Sequence, residues 1–349
     1  MKILVTGGAG FIGSHVAEYY AKRRWKVTVL DNLIRSKIFG YSKKSVEYNW
    51  EYLKRYSNIE RILGDVRKIK DVREAIGRGV DVVIHCAAQP GVLSSVKNPR
   101  LDFAINALGT FNVLECIRRK SPKATFIYCS TNKVYGGNVC NLPIKELKTR
   151  YVYKGVRAIS EEMSIDSSPH TPYGVSKYLG DLYVQEYAYI YGIRTGVFRM
   201  SCIYGVRQFG FEDQGWIAHF IITALKEEPI TIYGNGKQVR DVLYVKDLVK
   251  AFDLFLRSKI KHSVYNIGGG PENTTSLLEF FNLLSKKLDR KPKIRYSNWR
   301  PFDQKVYISD ISKIKRDLGW EATISFERGI DKLLSWAKKF LSSTSYTIE

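Results

Sequence analysis

The first thirty-one residues constrain the fold of this chain more than any other stretch. Lys2 to Thr6 is a short apolar run that meets a glycine-rich turn, Gly7-Gly8-Ala9-Gly10-Phe11-Ile12-Gly13. An amphipathic stretch comes next, from Ser14 to Lys22, then a second apolar run, Val27 to Leu30, ending in Asp31. The order is strand, turn, helix, strand, acid. Glycines in such a turn let the backbone approach a pyrophosphate, and the helix N-terminus adds unpaired N–H groups and a partial positive charge. Asp31 stands about 20 residues beyond the turn, where a carboxylate accepts hydrogen bonds from both hydroxyls of an adenosine ribose. The same carboxylate repels a 2'-phosphate, so NAD(H) is expected over NADP(H).

The rest of the chain continues the alternation. Ile59 to Leu63, Val80 to Cys86, Ala124 to Cys129 and Thr195 to Met200 read as strands, and Leu101 to Lys120 and Tyr173 to Tyr191 as long helices. Val80 to Cys86 is apolar apart from Asp81 and His85, and its central Val82-Val83-Ile84 run suits a strand buried on both faces. This βαβ rhythm predicts an α/β protein built on a doubly wound parallel sheet. Ligands of such sheets lie beyond the strand carboxyl ends, so the loops after Asp31, Leu63, Cys86, Cys129 and Met200 are expected to line one cleft. After Met200 the rhythm loosens into glycine-rich loops, which predicts a smaller, interleaved C-terminal substrate domain. The expected division is 1–198 plus 242–268 for the dinucleotide domain, 199–241 plus 269–341 for the substrate domain, and a polar tail at 342–349.

Composition narrows the setting. An apolar share of 44% over 349 residues permits a sizeable core. No apolar run is long enough to cross a bilayer, and the N-terminus reads as the first strand rather than a cleaved signal. Five scattered cysteines predict reduced, mostly buried thiols and a cytoplasmic protein. The chain carries 56 Lys and Arg against 34 Asp and Glu, a net charge of +22. That excess suits a lysine-rich surface or a field that draws in an anionic substrate. It is dispersed and makes no stripe, so no nucleic-acid partner is expected. The five histidines form no ligand-spaced pair, and no metal site is expected.

Two further segments carry chemistry. In Thr171-Pro172-Tyr173-Gly174-Val175-Ser176-Lys177 the tyrosine and lysine are four apart, on one helical face. A phenol titrates near pH ~10, and a neighbouring ammonium favours its phenolate. Such a phenolate can take the proton of a sugar hydroxyl while hydride leaves the same carbon. Tyrosine–lysine pairs also occur on ordinary helices. Ser130-Thr131-Asn132-Lys133-Val134-Tyr135-Gly136 comes directly after a buried strand, at its carboxyl end, where the Thr131 hydroxyl can bond the reacting oxygen or make a local capping bond.

Taken together, these residues resemble the extended short-chain dehydrogenase/reductase family, a Rossmann-fold group, and within it the NAD-dependent nucleotide-sugar epimerases. The likeness runs from about Lys2 to Trp336. It includes His85-Cys86-Ala87-Ala88-Gln89, Asn106 with Gly109-Thr110-Phe111-Asn112, Arg240-Asp241-Val242 and Arg300-Pro301-Phe302-Asp303. Ser130 to Gly136, Asp213 to Trp216 and Tyr233 to Asp241 are similar to the subgroup that inverts carbon 2 of CDP-paratose or CDP-tyvelose.

The resemblance implies specific roles. Tyr173 is the base, Lys177 its partner and Thr131 the hydroxyl that positions the sugar. Epimerisation at carbon 2 passes through a transient 2-ketosugar with internal hydride return, so NAD stays bound. Gly7, Gly10, Phe11, Ile12 and Gly13 hold the pyrophosphate, Asp31 and Asn32 the adenosine ribose, and Asp65 and Val66 the adenine. Ala87, Ala88, Gln89 and Asn106, with Tyr173 and Lys177, line the nicotinamide side. Arg240 and Arg300 clamp the substrate diphosphate, and Gln89, Gln214, Tyr233 and Lys237 are further contacts to the nucleotide-diphosphate sugar. A homodimer or homotetramer is implied through the two long helices. Sugar 4,6-dehydratases of the family carry Asp-Glu after the threonine. Asn132-Lys133 stand here instead, which argues against dehydration. Many 4-epimerases have asparagine where this chain has Cys202. The alternative activity is 4-epimerisation of a UDP-hexose or UDP-uronate, and the remote one a non-catalytic RNA-binding relative.

Overall fold

A computed structural model describes residues 1–40, 42–300 and 303–343. Pro301 and Phe302 of the Arg-Pro-Phe-Asp segment, and 344–349 of the polar tail, lie outside the described residues. The chain divides into two compact units: Met1–Gly136 with Pro169–Met200 and Val249–Tyr265, and Gly137–Ser168 with Ser201–Leu248 and the chain from Asn266 onward.

The first unit is built on a seven-stranded sheet. Its strands are β1 (Lys2–Thr6), β2 (Lys26–Asp31), β3 (Ile59–Leu63), β4 (Val82–His85), β5 (Thr125–Thr131), β6 (Thr195–Met200) and β7 (His262–Ile267). They lie in the order β7-β6-β5-β4-β1-β2-β3. β1 pairs in parallel with both β2 and β4, β2 with β3, β4 with β5, and β5 with β6. The order reverses beside β1, which is the doubly wound arrangement read from the alternating segments.

Three helices of this unit carry or flank the expected site residues: α1 (Phe11–Lys22), α2 (Gly109–Lys120) and α3 (Thr171–Tyr191). A one-turn π-helix, Ala104–Leu108, leads into α2. Val113, Leu114 and Ile117 of α2 and Val184 and Tyr187 of α3 pack with Leu4, Val83, Phe126 and Tyr128 of the sheet into one buried cluster. Each such side chain contributes about 1.5–3 kcal/mol when fully buried. α3 comes close to β5 because Gly180 has no side chain: a Cβ there would lie 2.3 Å from the Tyr128 hydroxyl.

The second unit holds smaller sheets. Val239–Tyr244 pairs antiparallel with Thr274–Ser276 and parallel with Val306–Tyr307 and Cys202–Tyr204. Residues 137–168 belong here rather than with the span 1–198 expected from sequence. Long-range bonds hold them. Tyr151 N donates to the Lys237 carbonyl at 2.9 Å. The Tyr153 hydroxyl donates to the Val306 carbonyl at 2.8 Å. The Arg150 guanidinium pairs with Glu279, which also closes the capping box of the helix Leu277–Leu288. No helix among the described residues is long and apolar enough to cross a membrane.

Candidate active site

In the first unit, the dinucleotide turn is dictated by close backbone approach. Gly7 has φ +68°, and a Cβ on it would lie 2.6 Å from Ala87 N. Added carbons at Gly10 and Gly13 would lie 2.9 and 2.3 Å from the Gly7 carbonyl oxygen. The turn therefore closes only with glycine at all three positions. Gly10 caps α1 without a side-chain bond, and no acid occupies the first helical turn. Phe11, Ile12 and Gly13 open the helix there, a cradle that fits a pyrophosphate.

Asp31 ends β2 with its carboxylate pinned by backbone. Ala9 N donates to Oδ2 at 3.0 Å and Leu33 N to Oδ1 at 2.9 Å. Burial raises its pKa, opposed by those N–H groups and by Arg35. The Asn32 amide donates to Asp65 at 2.9 Å, linking the expected ribose and adenine positions. Burial raises the Asp65 pKa, but bonds from Arg67 and Asn32 bring it net below the usual value. Both Asp65 oxygens accept from Arg67. Val66 is buried, and its carbonyl accepts from the Asn112 amide at 3.0 Å.

Ala87 and Ala88 come after β4 and are partly exposed. Gln89 and Asn106 are buried and face each other. Gln89 N donates to Asn106 Oδ1 at 2.9 Å, and Asn106 Nδ2 donates to the Gln89 carbonyl, Asp102 and Ser176. The Gln89 amide nitrogen donates to the Gly91 carbonyl and to Asp102. These two side chains brace the loop after β4 against α3. Burial lifts Asp102 to about 6, opposed by Ser176 and the charge of Lys177.

Thr131 is the last residue of β5, and its hydroxyl accepts from Lys133 N at 3.3 Å. Tyr173 sits in the first turn of α3, with its N–H donating to the Ser95 hydroxyl at 3.0 Å. Lys177, one turn on, is buried. Its Nζ donates to the Cys129 carbonyl at 2.6 Å and lies 4.2 Å from the centre of the Tyr128 ring. Burial lowers its pKa to about 8, while nearby thiols and the acids Asp181 and Asp102 oppose the shift.

Sequence reasoning missed Asp102, Ser176, Asp181 and Arg199. Arg199 pairs with Asp181 at 3.0 Å, and Ser130 donates to the same carboxylate at 2.7 Å. A signal existed for this pair: Asp181 extends the Tyr173–Lys177 spacing by another four residues, and Arg199 is a lone charge in an apolar strand.

In the second unit, three expected substrate cations each hold an acid. Lys237 pairs with Glu146 at 2.6 Å, Arg240 with Asp303 at 2.7 Å and Arg300 with Glu212 at 3.0 Å. The Arg300 guanidinium also lies 3.9 Å from the centre of the Tyr233 ring, and the Tyr233 hydroxyl bonds Glu212. Gln214 is half-buried and forms a tight bridge with Phe211. The Trp216 indole N–H donates to Cys202 Sγ at 3.5 Å, so Cys202 has a structural contact of its own. Among the described residues, no group of three or more His, Cys, Asp or Glu side chains could hold a metal ion.

Residues 3–268 match the NAD dependent epimerase/dehydratase family. The chain belongs to that family: it is an enzyme, an NAD-dependent nucleotide-sugar epimerase of the extended short-chain dehydrogenase/reductase type, and NAD is its cofactor. It is 38% identical to the CDP-paratose 2-epimerase of Salmonella typhi, over 96% of this chain and 99% of that protein. It is 30% identical to the UDP-glucuronate 4-epimerase of Thermodesulfobacterium geofontis, over 96% of each chain. The crystal structure of UDP-glucuronic acid 4-epimerase from Bacillus cereus, in complex with UDP-glucuronic acid and NAD, superposes with a TM-score of 0.82. That match covers 97% of this chain and 100% of the other at 29% identity.

Proposed function

We propose that the enzyme inverts carbon 2 of a CDP-linked hexose of the paratose/tyvelose type. The observation that carries this reading is the 38% identity, nearly end to end, with a CDP-paratose 2-epimerase. Asn132 and Lys133 after Thr131 leave no acid to expel a hydroxyl, which favours epimerisation over dehydration.

The Tyr173 phenolate takes the proton of the carbon 2 hydroxyl, and Thr131 holds the oxygen of the alcohol and of the ketone it becomes. Lys177, brought to about 8 by burial, keeps its positive charge through neutral pH and supports the phenolate. That support fades as pH rises past 8, so activity falls on the alkaline side. NAD, when bound in this site, would supply the hydride acceptor and donor that let carbon 2 be oxidised from one face and reduced from the other. Gly7, Gly10, Phe11, Ile12, Gly13, Asp31, Asn32, Asp65 and Val66 bind its pyrophosphate and adenosine, and Ala87, Ala88, Gln89, Asn106 and Lys177 its nicotinamide side. Arg240 and Arg300 take the substrate diphosphate, since a planar guanidinium matches phosphate oxygens in pairs. Lys237, Gln214 and Tyr233 serve the rest of the nucleotide sugar. Two copies join through α2, the π-helical turn before it and α3, where Leu108 of that turn and Leu182 and Tyr183 of α3 leave apolar surface exposed. The protein works in the cytoplasm.

A second reading, 4-epimerisation of a UDP-hexose or UDP-uronate, is favoured by the 30% identity to a UDP-glucuronate 4-epimerase. Incubation with CDP-paratose and with UDP-sugars in deuterated water, without added NAD, separates the two. Inversion at carbon 2 with no solvent deuterium there supports the first reading. Inversion only at carbon 4 of a UDP-sugar supports the second, and deuterium at carbon 2 removes hydride transfer from the mechanism. Tyr173→Phe is expected to lower turnover by about 10²–10⁴ with NAD retained. Near-normal turnover removes Tyr173 from its role.

A further inference from the structure

Cys86 stands directly after β4, and Cys129 lies within β5. The two strands are parallel with His85 opposite Tyr128, which sets the cysteines side by side at the next step. Their Sγ atoms are 3.5 Å apart. Neighbouring strands lie about 4.8 Å apart, inside the Cα separation a disulfide accepts. Cys129 is buried, whereas Cys86 is partly open at the strand's carboxyl end, beside Ala87. Sharing a proton with Cys129, together with burial, holds the Cys86 thiol well above its ordinary pKa. Cys86 therefore rests as a thiol.

The geometry points to a redox-modifiable dithiol: Cys86 and Cys129 close into an intramolecular disulfide under a peroxide, and the closed form is less active. The Cys86 sulfur, after losing its proton to solvent, attacks a peroxide oxygen. The O–O bond breaks, water departs, and a sulfenic acid forms. Cys129 sulfur then attacks Cys86 sulfur, the S–O bond breaks, and the hydroxyl leaves as water with the proton of Cys129. The two sulfurs lose one electron each and the peroxide gains two.

Closure shortens the sulfur gap from 3.5 Å to about 2.05 Å. The movement falls on backbone that matters. The Cys129 carbonyl holds Lys177 Nζ at 2.6 Å, and Thr131 is two residues further on. Ala87, next to Cys86, is packed against Gly7 so closely that an added Cβ would lie 2.6 Å from its nitrogen. One step therefore shifts the lysine's anchor and the wall of the dinucleotide turn.

The test uses the NAD-loaded enzyme carrying Cys140→Ser, because Cys140 is exposed and would couple between molecules. The protein is treated with hydrogen peroxide, free thiols are alkylated, and the peptides are read by non-reducing mass spectrometry. We expect a Cys86–Cys129 linked peptide, a loss of activity approaching about 10²-fold, the scale of a misplacement near 1 Å, and recovery with dithiothreitol. Cys86→Ser is expected to keep its activity through the same treatment. Cys86→Ala serves the same purpose should the first variant fail to fold. Alkylation of both thiols after peroxide overturns the inference, as does a linked peptide with undiminished activity.

Discussion

The ion pair between Asp181 and Arg199 is the sharpest test of how the first unit is held together. Asp181 is fully buried and Arg199 is 5% exposed. The guanidinium is bidentate, Nε to Oδ2 at 3.0 Å and Nη2 to Oδ1 at 3.2 Å. Ser130 donates to Oδ2 at 2.7 Å and Gln185 to Oδ1 at 2.7 Å. Burial by itself lowers the pKa of Arg199, but the charge and bonds of Asp181, with help from Tyr135, leave it above the ordinary arginine value. Asp181→Ala therefore strands a charged guanidinium in a dry interior. Breaking a buried pair from one side costs about 3–5 kcal/mol. The lost bonds from Ser130 and Gln185 are part of that figure, since neighbouring contributions do not add.

The expected result is a fall of about 3–5 kcal/mol in unfolding free energy, read from urea melts of NAD-loaded protein. Asp181→Leu combined with Arg199→Met, which replaces both charges by apolar bulk, should recover most of it. Function should not recover to the same degree. Asp181 ties α3, which carries Tyr173 and Lys177, to Ser130 beside Thr131. The double variant loses that tie and should retain NAD while kcat stays low. A cost for Asp181→Ala under about 1 kcal/mol, with an unchanged denaturant slope, would refute the argument by showing that Arg199 finds water.

Other perturbations test the same geometry. His85 is buried between Thr6 and Thr110. Burial and the charge of Lys177 lower its pKa to about 3. The folded state thus binds fewer protons than the unfolded chain between roughly pH 6.5 and 3. Its contribution is complete above that window and is lost as pH falls through it, about 2 kcal/mol between pH 6 and 4.5. Urea melts across that range should show a shallower acid limb in His85→Gln; an identical slope would assign the limb to other groups. Gly180→Ala forces α3 from β5 against the Tyr128 hydroxyl 2.3 Å away, and should destabilise by about 1–3 kcal/mol. An unchanged urea midpoint would show that the helix moves freely. Glu212→Gln removes the acid that holds Arg300 and should tighten binding of a nucleoside diphosphate by up to about five-fold in calorimetry, the worth of an exposed pair. Weaker binding would instead make Glu212 an orienting group for that arginine.

Much of the first unit was legible because its signals are local. Ile59–Leu63 and Thr195–Met200 form strands with the bounds read from sequence. The glycine turn, Asp31 and the Tyr173–Lys177 spacing each rest on a few adjacent residues. What was not legible depends on distant partners. Residues 137–168 carry no strong periodicity and are placed by bonds to Lys237, Glu279 and Val306. The inward turn of the Gln89 and Asn106 amides depends on a π-helical turn and on Asp102 and Ser176. No local pattern announces either.

Nor did the sequence show that Arg240 and Arg300, expected at the diphosphate, and Lys237, expected elsewhere on the nucleotide sugar, would each already hold an acid. Glu146 lies 91 residues from Lys237, and Asp303 lies 63 from Arg240. These pairs change the meaning of the net charge. With +22 on the chain, the simple expectation is a bare basic site that attracts anions. Lys237, Arg240 and Arg300 are instead locally balanced by Glu146, Asp303 and Glu212, so on the proposed reading an incoming nucleotide sugar would displace these acids. Glu146 and Glu212 have about half of their side-chain surface exposed, and such pairs hold only weakly, so little free energy opposes the release of these two acids. The surplus positive charge then lies elsewhere on the molecule. There it can speed the approach of an anion over several ångströms, while on the proposed reading the three paired cations would select which anion stays.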